Sequence, residues 1–147
     1  MTERHEAATI DEFEALAAQV ARSLQAGDVV ALEGPLGSGK TAFVAAAVRA
    51  LGNGAEVASP TFTFWHRYGG LPAVEHLDFY RIDDPVEARE LGLEEAFAAE
   101  RIVFVEWASR MPGLIPPGAM VVRISGAGSE PRSIEIELPA RQSRKAG

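Results

Sequence analysis

Eight consecutive residues, Gly34-Pro35-Leu36-Gly37-Ser38-Gly39-Lys40-Thr41, carry the most specific chemistry in this sequence. They fit G-x-x-x-x-G-K-[ST] in full, the pattern of a loop that cradles phosphates. Each fixed type has a physical reason. Glycines let successive backbone N–H groups turn inward on an anion, and the helix that follows adds its positive end. The lysine reaches the β- and γ-phosphates of a nucleotide, and the hydroxyl after it offers an oxygen to Mg²⁺. The candidate nucleotide-binding residues are therefore Gly34, Leu36, Gly37, Ser38 and Gly39 through the loop, Lys40 through its charge, Thr41 through its hydroxyl and Ala42 in the first helical turn. Lys40 is expected to be an exposed loop lysine. The plain alternative, a glycine turn before an ordinary helix, requires the whole pattern to arise by chance where glycine averages about 7% of residues.

A phosphate loop works with an acid close by, because Mg²⁺ keeps several waters that a carboxylate at the end of an adjacent strand orients. Glu106 follows the apolar run Ile102-Val103-Phe104-Val105 and stands where a Walker-B acid belongs, with Glu in place of the usual Asp. Asp78 closes the segment Val74-Glu75-His76-Leu77-Asp78. Each has an ordinary alternative: a surface acid at a strand exit for Glu106, a strand-end turn residue for Asp78.

Elements must position these groups. Thr9-Ile10-Asp11-Glu12 has capping-box spacing, and Phe13, Leu16, Ala17, Val20 and Leu24 follow at helical period until Gly27, so the first element is expected to be a helix. Asp28 to Glu33 is β-prone and Thr41 to Ala50 helix-prone, which gives strand, glycine loop and helix in the required order. Phe62 to Tyr68 and Ala73 to Asp78 flank Gly69-Gly70-Leu71-Pro72 and predict a hairpin appended to the sheet. Pro85 suits a helix start, and Val86 to Ala99 is helical with an interruption at Gly92. Ile102 to Val105 is apolar enough for a central strand covered on both faces. Met120 to Ile124 and Ser133 to Leu138 predict two more strands around Gly126-Ala127-Gly128. The expected fold is α/β: a single-domain P-loop NTPase with a mixed central sheet between helices.

A chain of 147 residues, 47% of them hydrophobic, is sized for one domain, read here as 1–139 with a polar tail over 140–147. With no cysteine, disulfides, zinc ribbons and thiol catalysis drop out together. Met1 to Ala8 is charged and lacks a signal-length apolar stretch, and no run is long enough to span a membrane, so a cytoplasmic protein is expected. The net charge is −7, with 14 basic residues scattered against 21 acidic ones. Nucleic-acid binding draws on clustered Lys and Arg, so any link to RNA is expected to pass through a partner.

Beyond the loop, the sequence carries Ser59-Pro60-Thr61-Phe62, His76-Leu77-Asp78-Phe79-Tyr80-Arg81, Glu90-Leu91-Gly92-Leu93-Glu94 and Val105-Glu106-Trp107. In this order and spacing these segments, from about Thr9 to Leu138, resemble the TsaE (YjeE) family. The resemblance implies a bacterial Mg²⁺-dependent ATPase that acts with the TsaB and TsaD proteins, the assembly placing a threonylcarbamoyl group on the adenosine next to the anticodon of certain tRNAs. It further implies ATP or ADP as the bound nucleotide, Thr41 and Glu106 as metal holders, and Lys40 and the loop amides on phosphates. Asp78 would serve the catalytic metal and water region, and Thr61 would sense the γ-phosphate as a switch residue. Trp107 would lie beside the nucleotide, Arg132 would contact ATP, and the start of the first helix, near Glu12, would lie by the adenine. Pro35 departs from the family, which usually has an acidic residue there, and it lacks the N–H that another residue would add to the cradle.

Plainer roles exist for several of these residues. Thr61 after Pro60 can simply shape a turn, Trp107 can be core, and Arg81 with Glu90 can form a surface pair worth under about 1 kcal/mol. His76 reads as a strand residue hydrogen-bonded within the domain rather than a catalytic base. Three other functions compete. A small-molecule kinase on the same loop needs an acceptor site and an Arg-rich lid, and no compact Arg-rich insertion occurs in the sequence. A GTPase needs an Asn-Lys-x-Asp segment, for which neither Lys40 nor Lys145 is placed. A nucleotide sensor without turnover has no contrary feature.

Overall fold

The computed structural model describes residues 1–52, 56–57, 64–70, 72–82, 84–98 and 100–138. Thr61, with the rest of Ser59-Pro60-Thr61-Phe62, and the expected tail over 140–147 lie outside the described residues.

The strand that leads into the glycine loop is β2 (Val29–Glu33), and the helix leaving it is α2 (Lys40–Ala50). β2 lies at the centre of an eight-stranded sheet of order β1-β8-β7-β2-β6-β5-β4-β3. Its neighbours β6 (Ile102–Glu106) and β7 (Met120–Ser125) both run parallel to it, and β5 (Val74–Asp78) runs parallel to β6. The flanks are antiparallel: β8 (Arg132–Glu137) on β7, β1 (Thr2–Ala7) on β8, β4 (Trp65–Tyr68) on β5, and β3 (Glu56–Val57) on β4. The sheet is thus mixed, with a parallel centre.

Alternation along the central strands feeds two separate cores. Val30, Leu32, Phe104, Val122 and Ile124 pack with α1 (Ile10–Arg22) and α2 on one face. Ala31, Val103, Val105 and Leu77 pack on the other with Phe79, Ala88 of α3 (Pro85–Glu90), Ala96 of α4 (Glu95–Ala98) and the 3₁₀ turn Ala108–Arg110. All five residues of β6 are buried, as a strand covered on both faces demands.

Three expectations change. The first element is β1, not a helix: its pairing with β8 from Thr2↔Glu137 to Ala7↔Arg132 is a backbone ladder at the sheet edge, and its mostly exposed side chains carry no periodic signal. α1 ends at Arg22, well before Gly27, because Ser23 Oγ takes the Val20 carbonyl at 2.6 Å and the last turn closes with Leu24 N–H donating to Ala21 O. The hairpin at Gly69-Gly70 is present, with Tyr68 opposite Val74, but β5 is a full member of the parallel centre and only β4 and β3 are appended. Gly92 does interrupt the following helix, at φ 71°.

Candidate nucleotide and metal site

The three parallel strands β2, β6 and β5 end side by side, and register sets Leu32 opposite Glu106 and Glu106 opposite Asp78. Both candidate acids therefore stand at the carboxyl edge of the sheet, where open α/β sheets take their ligands. The glycine loop begins at the same edge. Gly34 has φ 152°, and a Cβ there would lie 2.3 Å from the Ile124 carbonyl and 2.8 Å from Ser38 Oγ, so the loop is seated directly on the end of β7. Gly39, at φ 111°, precedes the first turn of α2, which has no side-chain cap. Its leading N–H groups are the open positive end that an anion uses. Ser38 is fully buried, and its Oγ has no hydrogen-bond partner among the described residues. Leu36 is 69% exposed at the rim, where only its backbone can serve the cradle.

Lys40 corrects the expectation of an exposed lysine: it is 4% exposed. Its Nζ donates to the carbonyls of Gly34 at 2.6 Å and Pro35 at 3.0 Å, and sits 4.3 Å from the centre of the Trp107 ring. Burial lowers its pKa, while the charges of Glu106, Asp78 and Glu33 work the other way. Pro35, lacking an N–H, contributes a carbonyl instead. Trp107 has φ 58°, the one non-glycine residue at positive φ among those described, and it packs partly into the core. That turn directs the chain away from β6 and puts the ring under Lys40, with Tyr80 4.9 Å beyond it.

Thr41 Oγ1 lies within hydrogen-bond reach of both Glu106 oxygens, 3.0 Å from Oε1 and 2.8 Å from Oε2. His76 Nε2 lies 2.7 Å from Glu106 Oε2, the in-domain hydrogen bond that its place on a strand suggested. Burial pushes the Glu106 carboxyl up, but the bond and charge of His76, the Thr41 hydroxyl and the Lys40 charge outweigh it and hold the group below its ordinary value. Asp78 goes the other way. Burial raises its pKa, aided by the Glu106 charge, against the Tyr80 N–H bond at 2.9 Å and the charges of His76 and Lys40. Among the described residues no group of three or more His, Cys, Asp or Glu side chains could hold a metal unaided. The oxygen donors at this edge, the Thr41 hydroxyl with the Glu106 and Asp78 carboxylates, suit Mg²⁺ completed by water and ligand phosphates.

A cleft of about 230 Å³ opens from the loop between the start of α1 and the β7–β8 turn, lined by Thr9, Ile10, Phe13, Ser38, Gly39, Ala42, Glu130 and Arg132 among others. Arg132 shapes it: Nε donates to the Ser38 carbonyl at 2.8 Å, and the guanidinium also donates to the carbonyls of Glu130 and Gly128. Glu12 is placed otherwise than in the cleft wall. Its carboxylate accepts from Ala8 N–H at 2.7 Å, while Thr9 Oγ1 accepts from Glu12 N–H at 3.2 Å, closing the helix start. Phe13, whose ring would lie 3.2 Å from a Cβ on Gly39, was legible only as a helical core residue. Glu33 drew no functional reading, yet its carboxylate accepts from Ser109 N–H at 2.8 Å and fixes the turn after Trp107. Its position at the end of β2, next to the loop, was the available signal.

Residues 7–134 match the family described as threonylcarbamoyl adenosine biosynthesis protein TsaE. The chain is 38% identical to a tRNA threonylcarbamoyladenosine biosynthesis protein TsaE from Bacillus subtilis over 84% of its own length and 78% of that protein. It is 31% identical to the protein of that name from Treponema pallidum, over 80% of its length and 87% of the relative. A crystal structure of YdiB from Bacillus subtilis superposes with a TM-score of 0.79 at 28% identity, covering 100% of this chain and 97% of that one. On this coverage and similarity, the chain belongs to the TsaE family.

Proposed function

We propose that this protein is a cytoplasmic Mg²⁺-dependent ATPase that supports threonylcarbamoylation of the adenosine next to the anticodon in tRNA, acting with TsaB and TsaD. The observation that carries the reading is the convergence, at one sheet edge, of Lys40, the uncapped start of α2, and the Thr41–Glu106 pair. The relatives' names supply the pathway. No helix among the described residues is long and apolar enough to cross a membrane, in keeping with this setting.

In this reading the loop amides and the start of α2 bind the phosphates of ATP, and Lys40 leaves its two carbonyls to compensate their charge. Thr41 and Glu106 would hold Mg²⁺, which would supply charge stabilisation to the phosphoryl group during transfer. Asp78, whose carboxyl burial favours the protonated form, orients water at the neighbouring strand end. Arg132 and Phe13 shape the cleft that receives the nucleoside. Thr61 is assigned the γ-phosphate by resemblance alone.

The test is reconstitution. Purified TsaB, TsaD, tRNA and a threonylcarbamoyl donor are incubated with and without this protein and ATP, and modified adenosine is measured. Sustained modification that needs both the protein and ATP, and is lost with Lys40→Ala, supports the assignment; equal yield without the protein removes it.

A further inference from the structure

We propose that His76 is a positioning residue for the site, holding the Glu106 carboxylate in the orientation that receives the metal; this rests on the reading of Thr41 and Glu106 as metal holders. An ionised carboxylate only accepts hydrogen bonds, so the 2.7 Å contact is His76 Nε2–H donating to Glu106 Oε2. Both groups are buried, His76 at 7% and Glu106 at 3% exposure, where the lower local dielectric makes a hydrogen bond stronger than it is in water.

Topology makes the contact possible. His76 pairs with Phe104 across β5 and β6, and Glu106 lies two residues beyond Phe104, on the same sheet face. His76 thus reaches along the sheet to the acid. Oε2 accepts from His76 and lies 2.8 Å from Thr41 Oγ1, whereas Oε1 has, among the described residues, the 3.0 Å Thr41 contact alone. One carboxylate oxygen is anchored, and the other keeps lone pairs for the metal's water shell.

Side-chain length supplies the reason. A Glu has one more rotatable bond than the Asp usual at this position, so its carboxylate is defined less well by the backbone of β6. A buried donor on the next strand restores that definition. Outer partners of this kind typically contribute about 10- to 100-fold to metal affinity.

The test measures ATP binding by calorimetry across a Mg²⁺ titration and again in excess EDTA, for the full chain, H76L, H76N and H76Q. The Leu side chain has no donor and the Asn amide is too short, so both variants should raise the Mg²⁺ needed for half-maximal binding about 10- to 100-fold. Their metal-free ATP affinity should be unchanged. H76Q, with an amide nitrogen near the Nε2 position, should behave like the original chain. Should Leu destabilise the fold, Asn and Gln alone make the comparison. An unchanged Mg²⁺ requirement in a folded Leu or Asn variant overturns the role, and so does an equal loss of affinity with and without metal, which marks a structural histidine. An original chain that binds ATP indifferently to Mg²⁺ sinks the metal reading beneath the proposal and the proposal with it.

Discussion

Lys40 and Asp78 show how the site holds charge before a ligand arrives. Lys40 is satisfied by two carbonyls of its own loop and by the face of Trp107, so among the described residues a buried cation is stabilised without an ion pair at hydrogen-bond distance. Lys40→Ala is expected to lower ATP affinity by roughly 10- to 100-fold, the worth of a hydrogen bond to a charged group, while the flanking strand and helix keep their packing. Calorimetric titration beside a thermal unfolding curve checks both halves. Asp78 is held in a setting that raises its pKa, so its ionised form opposes folding. That penalty is fully present above the raised folded-state pKa and disappears below the ordinary value of 3.8. Asp78→Asn, which can still accept from Tyr80 N–H, should therefore raise the unfolding midpoint at pH 7, lose that gain towards pH 3, and cut turnover more than binding. An Asn variant that is less stable than the original at pH 7 contradicts this account of Asp78.

At the scale of elements, the start of α1 both caps a helix and forms one wall of the cleft. Thr9→Ala removes the acceptor for Glu12 N–H and should cost roughly 1 kcal/mol, read as a lower urea midpoint at unchanged slope. The strand-loop-helix unit was legible because glycine, lysine and threonine types are each dictated by one atom's job. β6 was legible because a strand covered on both faces must be apolar throughout. β1 was not, since an edge strand held by backbone pairing asks almost nothing of its side chains. The burial of Lys40 was hidden for a related reason: it depends on the positive-φ turn at Trp107, and a tryptophan in that conformation leaves no mark in composition or period. The His76–Glu106 contact depends on the parallel register of β5 and β6, which periodicity alone does not specify.

The whole molecule is acidic, with a net charge of −7, and only two lysines in the sequence, Lys40 and Lys145. Filter binding of tRNA to the isolated protein at physiological salt should accordingly be weak, and tight binding there would contradict a route to RNA through partners. Phosphoryl transfer is catalysed by positioning and charge stabilisation, and an arginine finger supplied at the right place is worth about 10³ to 10⁵ in turnover. A site open at the sheet edge, with Arg132 committed to backbone carbonyls, leaves room for such completion by another protein. The most direct test of the account is release of free phosphate from ATP by this protein across a Mg²⁺ titration, alone and with TsaB and TsaD, beside Lys40→Ala. Slow Mg²⁺-dependent release is expected, with a rate changed by the partners, and none above background in the variant. Turnover by the free protein at the roughly 1 to 100 s⁻¹ of kinases, unaltered by the partners, or phosphate recovered on a small molecule, would contradict it.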